Sequence, residues 1–155
     1  MNIYIQQIKN ISKQNKYLKW YVNIVERALL RASSRRQAKK LLGYCEKHHI
    51  VPESFFIERT RKGPKGFLDG DPNHPNNFAY LTAKEHIFCH IFLIKMMESK
   101  MSLMKVNVAL DRLLKGCDGV YELNPKMYAI IKKEYSKNNP FTLEEIKDLS
   151  KQTKN

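Results

Sequence analysis

All five histidines of this 155-residue chain fall between positions 48 and 90. His86 and His90 are four apart, so on a helix both imidazoles share one face and can reach one cation. His48 and His49 are neighbours, and neighbours in a regular strand point to opposite faces. That suits a division of labour in which one ring holds a metal and the other takes a proton, although Pro52 bends the chain nearby. Three neutral imidazoles leave coordination positions open on a divalent ion, as in catalytic rather than structural sites. A fourth imidazole, with an ordinary pKa near neutrality, can deprotonate water. Asn77 precedes an apolar strand-like run and can bond a backbone group across a hairpin. These residue types fit hydrolysis of a phosphodiester.

Weaker readings compete for the same residues. An isolated His pair at i, i+4 is more often accidental than a metal site. A structural zinc site would prefer cysteines, and Cys45 and Cys89 are close in sequence to the histidines. Cys89 is one residue before His90, about 100° around a helix, which suits a place in the core. Glu46 can orient a ligand by a hydrogen bond, or be a solvated strand charge.

The elements that must position these groups follow from periodicity. Apolar residues at 17, 18, 21, 24, 25, 28 and 29 have the spacing of an amphipathic helix. Lys16, Lys19, Glu26, Arg27 and Arg31 flank or interrupt that stripe and should face water or a ligand. Ser33 and Ser34 can cap a second short helix, Arg35–Leu42, which Gly43 is placed to end. Residues 44–51 read as a strand stopped by Pro52. A long loop, 53–76, follows, with Pro64, Pro72, Pro75 and three glycines, and loops of that length are usually functional or disordered. Phe78–Leu81 is a second strand. Thr82 and Glu85 have capping-box spacing at the start of a helix over 83–97. A further helix spans 101–115, closed by Gly116. Asn124 and Pro125 open another to Ser136, and Thr142 with Glu145 repeats the capping-box spacing. The expected fold is α+β: a two-stranded hairpin plus helix embedded among flanking α-helices. It divides into a basic helical unit (1–43), a core (44–98) and C-terminal helices (99–155).

Charge narrows the partner. The chain carries 28 Lys and Arg against 15 Asp and Glu, a net +13. Residues 1–44 hold ten of the basic side chains and only one acid, Glu26. Such a surface suits a phosphate backbone and the release of its counterions, or is simply well solvated. No run of about 18 apolar residues exists, so no membrane span is expected. The polar N-terminus lacks the apolar core of a signal peptide, and Cys45, Cys89 and Cys117 form no CxxC pair. Reduced thiols and a cytoplasmic location are expected.

The string Glu46-Lys47-His48-His49-Ile50-Val51-Pro52, followed by Asn76-Asn77-Phe78-Ala79-Tyr80-Leu81-Thr82 and by Glu85-His86 through His90, resembles the HNH motif. Over residues 44–97 it is most similar to the phage-encoded, homing-type branch of the HNH endonucleases. The aromatic segment 16–21 and Asn124-Pro125-Lys126-Met127-Tyr128 are similar to that branch as well. The resemblance implies a ββα-metal finger in which His48, His86 and His90 ligate one divalent ion. His49 would be the general base and Asn77 would steady the hairpin. It further implies hydrolysis of double-stranded DNA, leaving 5′-phosphate and 3′-hydroxyl ends, in a host-cell cytoplasm. Imidazole softness favours Zn²⁺, Mn²⁺ or Ni²⁺, and water-filled positions would also suit Mg²⁺. Arg35, Arg36, Lys39 and Lys40 on the second helix, with Arg59, Arg61, Lys62 and Lys65 in the loop, are the candidate DNA contacts. The rivals are a non-catalytic DNA-binding protein with a zinc-braced hairpin, against which His49 argues, and a helical interaction protein with incidental histidines.

Overall fold

The computed structural model describes residues 1–59 and 63–115. The chain begins with a helix the sequence pattern left unassigned, α1 (Ile3–Asn10). Asn2 caps it, its side chain accepting from the Tyr4 and Ile5 amides, and it buries Tyr4, Ile5 and Ile8. Eight residues span barely two turns, too few for a periodic stripe to stand out. Helix α2 (Lys16–Arg31) slightly exceeds its expected span because Asn15 supplies the cap. It buries Leu18, Tyr21, Val22, Val25 and Ala28. Helix α3 (Arg35–Leu42) is capped by Ser34, while Gly43 ends it at a φ of 75°, where a side chain would be strained.

Strands β1 (Glu46–His49) and β2 (Phe78–Leu81) pair antiparallel, with His48 opposite Ala79 and His49 opposite Phe78. The first strand is shorter than the expected 44–51. At its far end the Val51 N–H donates to Asn77 Oδ1 and the Val51 carbonyl accepts from Asn77 Nδ2, so a side chain takes groups a ladder would use. Thr82 and Glu85 form the expected capping box of α4 (Ala83–Met96), and α5 (Lys100–Lys115) follows. The expected segments beyond 115, with Gly116 and Cys117, lie outside the described residues, as do Arg61 and Lys62.

One apolar cluster runs from Tyr4 of α1 to Leu110 of α5 and takes in the end of the hairpin. Within it α2 packs along α4. Arg31, expected to face water or a ligand, instead clamps the two helices. Its guanidinium donates to both Glu85 carboxylate oxygens, at 2.9 and 3.2 Å, and to the Tyr80 carbonyl at 2.9 Å. Glu85 is thereby held below its ordinary carboxylate pKa against the opposing effect of burial. Cys89 is fully buried, as expected, and burial raises its thiol pKa.

Among its described residues, the long connection between the strands is built rather than loose. It holds single 3-10 turns at Glu53–Phe55 and Pro75–Asn77 and a bridge between Phe56 and Leu68. Phe67 and Leu68 both donate to the Phe55 carbonyl at 2.8 Å. Lys105 of α5, which burial pushes down to a pKa of about 8, donates to the Pro64 carbonyl at 2.7 Å. Gly66 is required by contact: a Cβ there would strike the Phe56 carbonyl group and lie 2.7 Å from the Phe55 oxygen. Gly66→Ala should therefore destabilise the fold by about 2–3 kcal/mol. Chemical denaturation checks this, and an unchanged midpoint would show that the loop gives way freely.

Candidate metal centre

Three side chains from two elements converge. His48 comes from the inward face of β1, and His86 and His90 from successive turns of α4. Each offers one ligand nitrogen, and these nitrogens all lie within 4.8 Å of one another. His86 Nε2 and His90 Nε2 are 3.2 Å apart. Nitrogens bound tetrahedrally at about 2.0–2.1 Å would be about 3.3 Å apart, so this edge already has the spacing of a ligand pair.

Two neighbours decide which nitrogen is bare. The Tyr21 hydroxyl donates to the Ile50 carbonyl at 2.6 Å and also meets His48 Nε2 at 2.8 Å. Having one proton, already given to Ile50, the hydroxyl must accept from His48 Nε2–H, which leaves the His48 lone pair on Nδ1. Burial raises the Tyr21 pKa well above its ordinary value, so the proton stays. His86 Nδ1 lies 2.9 Å from Glu46 Oε1, a carboxylate partner that takes the Nδ1–H and leaves Nε2 bare. Tyr44 in turn donates to Glu46 Oε2 at 2.6 Å. The orienting alternative for Glu46 is thus the one its contacts favour.

Burial keeps the three rings neutral, as ligands must be. It lowers the His48 pKa well below the ordinary imidazole value, helped by the adjacent histidines. It pushes His90 down to about 3 and lowers His86 despite the opposing pull of Glu46. Among the described residues, nothing hydrogen-bonds the buried His90 Nδ1. Three neutral imidazoles whose ligand nitrogens lie within 4.8 Å of one another are a donor set that fits one divalent cation. Neither Cys45 nor Cys89 belongs to this group.

No family model, curated protein or solved structure matches this chain. What the site can do is read from its own geometry. His49 lies outside the trio and is half-exposed, its Nε2 3.1 Å from Asn73 Oδ1 and its ring edge-on to Phe78. Asn77 is fully buried and bonds Val51 and the Pro72 carbonyl across the hairpin. Arg35, Arg36, Lys39 and Lys40 are exposed on α3, and Lys65 is exposed in the loop. Arg59 is half-buried, folded back onto the Ser54 carbonyl at 3.3 Å.

Two contributors escaped the sequence pattern. Tyr21 sat in the apolar stripe of α2 and read as ordinary core. Asn73 lay in a loop whose only signal was the turn-forming run Asp71-Pro72-Asn73.

The neutral histidines tie stability to pH. Their folded pKa values lie below the unfolded value of about 6.5, so below that pH the unfolded chain binds more protons and stability falls with falling pH. With metal chelated, the denaturation free energy should decline from about pH 6.5 downward, toward the His90 value of about 3. The slope is bounded at about 4 kcal/mol per pH unit for three protons. A flat profile across that window would mean the rings are not held neutral.

Proposed function

We propose that this chain is a metal-dependent endonuclease of the HNH type that hydrolyses phosphodiester bonds in double-stranded DNA. The observation that carries the reading is the convergence of His48, His86 and His90 on one point, while His49, next in the chain, stands outside it and half-exposed. The HNH-like residues between Glu46 and His90 and the spacing of the pair His86 and His90 support the same reading. The work is inside the cell, in the cytoplasm.

His48, His86 and His90 would hold one Mg²⁺, Zn²⁺ or Mn²⁺ ion, which when bound supplies Lewis-acid stabilisation of charge on the phosphate oxygens. His49 takes a proton from water as general base. The oxygen so activated forms a new bond to phosphorus as the bond from phosphorus to the 3′ oxygen breaks. The departing oxygen takes a proton from solvent, leaving 5′-phosphate and 3′-hydroxyl ends. Asn77 keeps β1 and β2 in the register that separates the ligand His48 from the base His49. The exposed Arg35, Arg36, Lys39, Lys40 and Lys65 lie where solvent-facing phosphates can meet them. Arg59, with Arg61 and Lys62, completes the proposed DNA-contacting set.

Nicking of a supercoiled plasmid, with divalent ions and with chelator, tests the activity itself. Cleavage should require the ion, and chelator-resistant or absent cleavage would overturn the proposal. His49→Ala should retain metal and DNA affinity while lowering the rate by about 10²–10⁴. His48→Ala and His90→Ala should weaken metal binding in calorimetry, with activity partly restored by excess ion. Loss of metal in His49→Ala but not in His48→Ala would reverse the two roles.

DNA affinity should depend on the basic face of α3. Replacing Arg35, Arg36, Lys39 and Lys40 with Gln should flatten the dependence of log affinity on log salt by about 0.9 for each lost phosphate contact. An unchanged slope in filter binding would show that these side chains only solvate the helix.

A further inference from the structure

The loop that returns the chain to β2 carries a side chain aimed at His49. Asn73 Oδ1 lies 3.1 Å from His49 Nε2. An amide oxygen only accepts, so the imidazole must donate from Nε2, and its in-plane lone pair is then on Nδ1. We propose that Asn73 is a positioning residue for His49, fixing the ring tautomer and orientation through this hydrogen bond. The catalytic consequence rests on the endonuclease reading, whereas the hydrogen bond and the tautomer do not.

The surroundings of Asn73 show why an exposed amide can do this. A hydrogen bond between two solvent-facing side chains contributes little when both must be ordered to make it. Here the backbone is already ordered by other contacts. The Asn73 N–H donates to Asp71 Oδ1 at 2.9 Å, closing a turn around Pro72. Tyr4 of α1 donates to the Asp71 carbonyl at 2.7 Å and stacks on His74. The Pro72 carbonyl accepts from Asn77 Nδ2 at 2.8 Å. Asn2, the cap of α1, donates to the Asn76 carbonyl at 2.8 Å. Residues on both sides of Asn73 are therefore tied to α1 or to the buried Asn77 amide. On the other strand, the edge-on contact of His49 with Phe78, 4.9 Å between centroids, restricts the ring. Two restrained side chains meet at one hydrogen bond. This also gives α1 a role, since it anchors the segment from which Asn73 projects.

A general base works only through a nitrogen that is bare and correctly aimed. Without the Asn73 oxygen, the Nε2–H form loses the hydrogen bond that favours it, and the proton is shared with Nδ1. A merely structural Asn73 would brace the loop and leave the His49 proton where it was.

Long-range proton–nitrogen correlation spectra of the full-length, metal-free protein report which ring nitrogen bears hydrogen. They are compared for the unmodified chain, Asn73→Ala and Asn73→Asp, the last keeping an acceptor oxygen in place. The unmodified chain and Asn73→Asp should show His49 as the Nε2–H tautomer, and Asn73→Ala a mixture. In plasmid cleavage Asn73→Ala should lower kcat about ten-fold, with KM and calorimetric metal affinity unchanged, and Asn73→Asp should recover most of the rate. Because Asn73 is exposed, neither change disturbs the core. An Nδ1–H tautomer in the unmodified chain, or one unmoved by Asn73→Ala, overturns the positioning role, and so does a loss confined to KM. If neither the unmodified chain nor any variant cleaves DNA but the tautomer shifts as expected, the positioning role stands and the endonuclease reading fails. If cleavage is normal and the tautomer unmoved, the reverse holds.

Discussion

The side-chain amide of Asn77 is the contact on which the rest of the site depends. Fully buried, it accepts from the Val51 N–H at 2.8 Å and donates to the carbonyls of Val51 and Pro72 at 3.1 and 2.8 Å. Its own backbone carbonyl accepts from Ile50 and its N–H donates to His74. Five hydrogen bonds at one residue thus bind the end of β1, the start of β2 and the last turn of the loop between them. A hairpin closed by so long a connection gains no register from its turn. The amide supplies it, and a slip of one residue would exchange the faces of His48 and His49. Without the amide, the buried groups of Val51 would be left unpaired, at a cost of about 1–3 kcal/mol each.

The three inward histidines sit on the other side of that constraint. Burying three basic rings together is unfavourable for any charged form, and that keeps them in the state in which imidazole binds a cation. Tyr21 and Glu46 accept the protons of His48 and His86, one from α2 and one from β1 itself. Each partner is occupied elsewhere as well, Tyr21 with Ile50 and Glu46 with Tyr44. The orientation of the rings is therefore set by the packing of α2 against the hairpin, not by strand and helix geometry alone. Arg31 serves the same end at the opening turn of α4. By bonding both Glu85 and the Tyr80 carbonyl, it holds α2 to the junction of β2 and α4 from which His86 projects.

Charge is arranged apart from this centre. The four basic side chains of α3 are exposed, and only Ala38 of that helix is buried, against Ala32 and Cys45. A short helix with so little packing keeps its place through its Ser34 and Gly43 caps. Such a helix can offer its cations without committing them to internal ion pairs.

Much of this was written locally. Ser34 and Gly43 mark α3 at both ends, and Thr82 with Glu85 marks the start of α4, because caps satisfy backbone groups within a few residues. The spacing of His86 and His90 follows from helical period alone, and the pairing of His48 with them was legible as a motif. Tyr21 and Asn73 were not legible, since their partners are 27 and 24 residues away and nothing in a single stripe or turn encodes that meeting. The same holds for Arg31, a charge at the edge of an apolar stripe until Glu85, 54 residues on, accepts it. The sequence by itself determined which chemical groups exist and which helix face or strand carries them, because caps and periodicity act over one or two turns. Only the tertiary structure decided which ring nitrogens are bare, because a tautomer is set by the partner across the fold.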